Sequence, residues 1–199
     1  MIIDFYTAVK SRRSIYAISN ESTIPDDRIV DILKDAVKYA PTSFNSQSGR
    51  VLLLLGNHHT KLWEITKEAL RKIVPEASFS QTEEKLDSFA GGHGTILYFE
   101  DQDVIKSLQD KFSLYKDNFP VWSEQSSGIL QYIVWTALEI EGLGASLQHY
   151  NPLIDEEVRS NWHIPESWML IAQMPFGKPL QLAGEKEYQS IDERFRLFQ

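Results

Sequence analysis

Residues 128–144 read GILQYIVWTALEIEGLG, a helical stretch that is apolar around most of its circumference. A helix of this kind has to be covered on several sides. No apolar run approaches the ~20 residues that span a bilayer, so the cover must be protein. Gly142 and Gly144 supply the stop. At 199 residues and 42% hydrophobic content, the chain suits one domain built around that helix, or two very small ones.

Helix and strand signals alternate around it. IPDDRIVDILKDAVKYAP from Ile24 places Pro25 and the acids Asp26 and Asp27 at a first turn, then repeats Ile29, Ile32, Leu33, Ala36, Val37 and Ala40 at helical spacing until Pro41. VLLLL at 51–55, closed by Gly56, reads as a strand buried on both faces and placed mid-sheet. A helix follows through Leu62, Ile65, Ala69, Leu70 and Ile73, then a strand at 95–100, a short helix at 101–112, strand candidates at 145–150 and 167–177, and a short helix near 155–161. Several helices around one sheet is the expected pattern.

The formal charge of −8 disfavours a surface dedicated to nucleic acid or anionic lipid. Residues 1–20 are a local exception at +2, from Lys10, Arg12 and Arg13 against Asp4. With no cysteine, thiolate metal sites, disulfides and a cysteine nucleophile are ruled out. The opening MIIDFYTAVKSRRS lacks the apolar core of a signal peptide, so a soluble, cytoplasmic protein is expected. Among the histidines, His58, His59 and His163 read as structural, and no metal site is expected.

Three segments have the composition of a binding site. SRRS at 11–14 offers two guanidinium groups that can grip phosphate oxygens, although four such residues on their own are more often a solvated helix end. APTSFNSQSGR at 40–50 sets Ser43, Asn45, Ser46 and Gln47 in a loop before a strand; such loops are as often plain turns as ligand contacts. GLGASLQHYNP at 142–152 joins the apolar helix to a strand with Gln148, His149, Tyr150 and Asn151 in a row, a polar cluster that is either bonded internally or completed by a ligand. The terminal EKEYQSIDERFRLFQ carries Tyr188, Ile191, Phe195, Leu197 and Phe198 among charges, and these apolar side chains need a partner surface.

Taken in order, SRRS, PTSFNSQ, WTALE, GLGASLQHYNP and QMPFGKP resemble the FMN-dependent nitroreductase family, most closely its short branch grouped with the fatty acid repression mutant protein. The resemblance spans essentially the whole chain. It implies an α+β fold with a central mixed sheet, a single domain over 1–199, and an intertwined homodimer whose arm at about 187–199 packs on the partner. It also implies FMN at the dimer interface. By position, Arg12, Arg13 and Ser14 match phosphate and pyrimidine-side contacts, and Lys186 replaces a later basic phosphate ligand in a tail that lacks the family's K-x-R. Pro41, Thr42, Ser43, Asn45 and Gln47 match the loop that approaches flavin, with Pro41 to Ser43 coming from the other subunit. Leu147, Gln148 and His149 match the stretch beside the flavin N5 edge.

Two departures bear on substrate. Where the family commonly reads Gln-Pro-Trp, this chain has Gln47, Ser48 and Gly49, and the helical insertion that lids the pocket in longer members is missing. In its place Tyr115, Phe119 and Trp122 are expected to wall the substrate pocket, with ordinary core packing the competing reading. The resulting expectation is an oxidoreductase in which NAD(P)H reduces FMN and a nitroaromatic or quinone acceptor is then reduced, the chemistry residing on the flavin. The competing expectations are a flavin-binding regulatory or stress protein with little turnover, linked to lipid or metal-stress signalling, and a flavin-free interaction domain.

Overall fold

The structure is a computed structural model that describes residues 4–199; Met1 to Ile3, part of the opening segment read above, lie outside the described residues. In chain order the elements are α1 (Phe5–Ser11), β1 (Ile18–Ser19), α2 (Asp26–Tyr39), β2 (Gly49–Leu55), α3 (Asn57–Arg71), α4 (Glu76–Ala90), β3 (Gly94–Asp101), α5 (Gln102–Lys111), α6 (Asn118–Ile140), β4 (Gly144–Ala145), α7 (Asp155–Trp162) and β5 (Trp168–Pro179). No described helix is long and apolar enough to cross a membrane.

The sheet runs β1-β5-β3-β2, with β4 also on β5, and every ladder is antiparallel. Parallel pairing in the expected mixed sheet is confined, among the described residues, to the bridge Ser14–Ala145. Alternation along β3 splits the core. Ile96 and Tyr98 face α2 and α6, packing with Ile29, Leu33, Val134 and Leu138, while Leu97 and Phe99 face α3 and α4, packing with Leu62, Trp63, Leu86 and Phe89. At about 1.5–3 kcal/mol for each fully buried large side chain, these two layers fix how α2, α3, α4 and α6 sit on the sheet.

Three expectations are corrected. Among the described residues VLLLL is the sheet's edge, and most of β2 is only half-buried, so its mid-sheet composition finds no second neighbour among them. The helix expected at 128–144 begins ten residues earlier, at Asn118, and leaves Ile129 and Tyr132 exposed where cover on several sides was anticipated. ASLQHY pairs as a strand only at Ala145, with one further bridge from Gln148 to Gln173. The polar helix α4 has no counterpart in the expected elements.

His59 is buried, with Nδ1 against Thr95 Oγ1 (2.8 Å) and Nε2 against the Ala90 carbonyl (3.1 Å), and burial pushes its pKa down. His163 adopts φ 52° at the end of α7, and Trp162 Nε1 donates to His58 Nδ1. These are structural placements.

Candidate functional site

The Asp4 carboxylate starts α1 by accepting from Tyr6 N–H and Thr7 N–H; the helix stops at Arg12, whose N–H returns to the Ala8 carbonyl. Beyond this stop the buried Ile15 donates its N–H to Ala145 C=O at 2.9 Å, drawing Arg12, Arg13 and Ser14 along the edge of β4. Trp135 of α6 donates Nε1 to the same carbonyl at 3.2 Å and carries the Arg12 guanidinium over its ring, 4.2 Å from the centroid. Gly177 lets the β1 backbone close in here, because a Cβ would stand 2.1 Å from Ser19 O.

Arg12, Arg13, Ser14 and Lys186 line one cavity of about 560 Å³, the far wall being residues 181–184. Among the described residues none of the three cations forms a salt bridge. Among the described residues the buried Arg12 Nε has no hydrogen-bond partner. A buried, unpaired guanidinium N–H is costly, and an anion's oxygen would satisfy it.

Residues 146–148 supply a second set of donors. Ser146 N–H and Gln148 N–H bond Pro175 C=O (3.3 Å) and Gln173 C=O (2.7 Å) of β5. Strand alternation turns the intervening Leu147 N–H, and that of His149, toward the opposite edge, the one Ile15 occupies further along. The polar cluster itself is bonded internally: Gln148 Nε2 donates to Ser146 Oγ, and Gln173 Oε1 accepts from Tyr150 N–H. Gln148 is buried and His149 exposed.

The 41–47 segment lies elsewhere in the protomer. Thr42 and Gln47 line a different cavity of about 550 Å³ between α2 and β2, which shares no residue with the first. Thr42 Oγ1 accepts from Gln47 N–H (3.1 Å), and Arg50 Nη1 donates to the Gln47 carbonyl (2.7 Å). Inside this closure Phe44, Asn45 and Gln47 have φ of 56°, 52° and 49°. Three non-glycine residues in the left-handed region within four positions store strain of the kind that clusters at binding sites. Pro41 and Asn45 are exposed, and Ser43 is half-buried beside Ser46 and Ser48.

The strained Phe44 turns its ring onto the expected aromatic wall. It stacks on Trp122 (5.7 Å between centroids, 18° between planes) and also meets Phe112, Tyr115 and Phe119. Phe119 is buried beneath these rings, whereas Phe44 and Tyr115 are exposed. Phe44 and Phe112 went unnoticed in the sequence reading, since an aromatic within a run of small polar residues has no periodicity to mark it.

Glu100 was also missed. Alternation puts it on the apolar face of β3 with Ile96 and Tyr98, where it is buried and accepts a hydrogen bond from Ser48 Oγ at 2.6 Å. The nearest guanidinium, Arg50, is committed to Asp101 at 2.9 Å. Burial therefore pushes the Glu100 carboxyl up to about 7, only partly offset by the Ser48 bond. The native state binds a proton that the unfolded chain releases near pH 4.5, so this site stabilises the fold at low pH and loses that contribution as pH rises through 7. Glu100→Gln should raise stability by about 1–2 kcal/mol at pH 8, with little gain at pH 5, in thermal melts at both pH values.

With this geometry in place, comparison with known proteins supplies the class. The sequence profile of the nitroreductase family matches residues 9–178, and the chain belongs to that family, an oxidoreductase family. Nitroreductase CinD from Lactococcus lactis, solved with chloramphenicol, is 47% identical, with TM-score 0.90 over 98% of this chain and 100% of that one. Nitroreductase FRM2 of Saccharomyces cerevisiae, representing the branch expected from the sequence, is 31% identical over 189 residues, 93% of each chain. A nitroreductase from Desulfitobacterium hafniense, solved with bound FMN, shares the fold at 17% identity, with TM-score 0.72 and complete coverage of both chains.

Proposed function

We propose that the protein is a homodimeric FMN-dependent oxidoreductase that uses NAD(P)H to reduce flat nitroaromatic or quinone-type acceptors. The observation that carries this reading is the cavity lined by Arg12, Arg13 and Lys186, none of which has a carboxylate partner among the described residues, while Arg12 Nε is buried and unpartnered among them. The cavity's cations fit a phosphate, and outside its lining the Leu147 and His149 N–H groups, turned away from β5, would suit the acceptor-rich edge of a flavin ring. The FMN-bound relative of the same fold supports the identity of the ligand.

Bound there, FMN would supply the redox chemistry, hydride transfer between NAD(P)H and the acceptor. The chain's residues bind and orient. Arg12 holds its planar fork fixed against Trp135, so a phosphate or ring oxygen meets an ordered donor, and the local positive charge favours an electron-rich ring. Phe44 and Tyr115 offer exposed aromatic surface to a flat acceptor.

Dimer formation gives the unpaired surfaces a partner. The edge of β2, the groove against α2 with Lys34, Lys38 and Arg50 on its rim, and the exposed Ile129 and Tyr132 of α6 await cover. The tail, whose exposed Ile191, Phe195 and Phe198 stand among both acids (Glu187, Asp192, Glu193) and bases (Arg194, Arg196), offers apolar side chains to that largely apolar groove. A partner so placed brings its own 41–47 loop to the flavin of the first chain.

Spectra of the purified protein, followed by NADH and NADPH oxidation with 4-nitrophenol or a quinone, test the reading. A yellow protein whose nicotinamide oxidation depends on acceptor is the expected result. A colourless protein that cannot be reconstituted with FMN overturns the proposal, and a yellow one without turnover overturns its catalytic half.

A further inference from the structure

Ser48 and Gly49, the two positions where this chain departs from the family's Pro-Trp, both touch Glu100. The Ser48 hydroxyl donates to Glu100 Oε2, and a Cβ on Gly49 would stand 3.6 Å from Glu100 Oε1 and 3.2 Å from Leu130 Cδ2. Proline at 48 has no hydroxyl to give, and a tryptophan at 49 would occupy the space the carboxyl and Leu130 now fill. The serine, the glycine and the buried acid therefore form one unit.

That unit continues into the strained loop. Ser48 Oγ lies 3.4 Å from Ser46 Oγ, with either oxygen able to donate, and Ser46 is half-buried between Asn45 and Gln47, in a small cleft it shares with Ser43, Phe119 and Trp122. We propose that Glu100 is a positioning residue for the flavin-facing loop, acting through the Ser48 and Ser46 hydroxyls and setting the direction in which that chain donates. The proposal rests on the FMN reading above.

Its logic is a hydrogen-bond count. An ionised Glu100 only accepts, so Ser48 donates to it, Ser46 donates to Ser48, and the loop presents a bare oxygen. A Glu100 that has taken a proton from solvent donates to Ser48, Ser48 turns to Ser46, and the Ser46 hydrogen is freed for an outside acceptor. Only rotations of hydroxyl hydrogens and one O–H bond on Glu100 are involved. A flavin edge is rich in acceptors, so FMN favours the second arrangement and its binding is linked to proton uptake.

The groups facing the carboxyl leave it poised. Arg50 on β2 favours its charge, Glu124 on α6 and Asp101 on β3 oppose it, and Lys34 and Lys38 on α2 lie across the shared cavity. Burial tips the balance toward the proton, and the group changes state close to neutrality.

FMN binding by the full-length protein, measured calorimetrically at pH 6 and pH 8 in buffers of different ionisation enthalpy, provides the test. Protons of the FMN phosphate contribute equally to every variant. The wild type should lose about fivefold more affinity between pH 6 and pH 8 than Glu100→Gln does, one neutral hydrogen bond's worth, and should take up correspondingly more protons on binding. Ser48→Ala should behave like Glu100→Gln toward FMN while its thermal stability still titrates near neutrality, because the acid remains but is disconnected. A Ser48→Ala protein with the wild-type pH dependence of FMN affinity overturns the proposal and leaves Glu100 a buried acid without influence on the loop. Absence of FMN binding by the wild type at both pH values strikes the FMN reading instead.

Discussion

Arg12→Ala should weaken FMN binding by about one to two decades in dissociation constant. The guanidinium stands over Trp135 with a buried, unpartnered Nε, so its side-chain entropy and desolvation are already spent before a ligand arrives. A charge-assisted bond made from that state is worth about 1.5–3 kcal/mol, which sets the expected loss. Lysine at position 12 restores only part of it, because a point charge replaces a planar fork that the Trp135 ring holds in place. Fluorescence titration of flavin against the three proteins measures both effects. Unchanged affinity in Arg12→Ala removes this residue from the site.

Deleting residues 189–199 should dissociate the proposed dimer and, with it, release the flavin. Ile191, Phe195, Leu197 and Phe198 are 64–88% exposed on the single chain, a display that an isolated protomer has no reason to carry. Each is worth about 1.5–3 kcal/mol when fully buried on a partner, less the entropy of ordering the segment. If the same interface completes the flavin site, loss of the arm lowers FMN affinity through linkage even though no residue of the Arg12 cavity is removed. Sedimentation of the truncated protein should show a monomer or a concentration-dependent mixture, pale in colour. An intact yellow dimer contradicts the role given to the arm.

Core elements were legible in the sequence because their periodicity is decided inside one chain. α2 and the β3 strand follow their apolar spacing to within a residue or two, since Ile29, Leu33 and Ala36 on one and Ile96 to Phe99 on the other bury in the core the pattern implies. β2 and α6 were misread in the same direction, as more enclosed than they are. Within the described residues β2 stays half-buried and Ile129 and Tyr132 of α6 stay exposed. α4 escaped notice because its fifteen residues bury only Phe79, Leu86 and Phe89, too sparse a stripe to stand out among Ser, Thr, Gln and Glu.

The candidate site divides in a related way. Arg12 and Arg13 declare themselves as adjacent cations in an acidic chain, but Lys186 joins them only through the course of the tail, which spacing cannot reveal. Phe44 depends on a positive φ to reach Trp122, and Glu100 sits where alternation demands an apolar residue, so an acid there is visible only once the strand's face is known. The neighbouring departure from Gln-Pro-Trp could be seen but not explained until Ser48 and Gly49 were found against that acid.

The central claim is that each flavin is held by both chains, Arg12 from one and the 41–47 loop from the other. Mixed dimers of an Arg12→Ala subunit with an Asn45→Ala subunit, isolated through two different affinity tags, test it directly. Both defects then fall in one site and the second site is intact, so the mixed dimer should bind one FMN tightly while each parent homodimer binds both weakly. Two equally weakened sites in the mixed dimer would place both residues on the same chain's flavin and contradict the shared site.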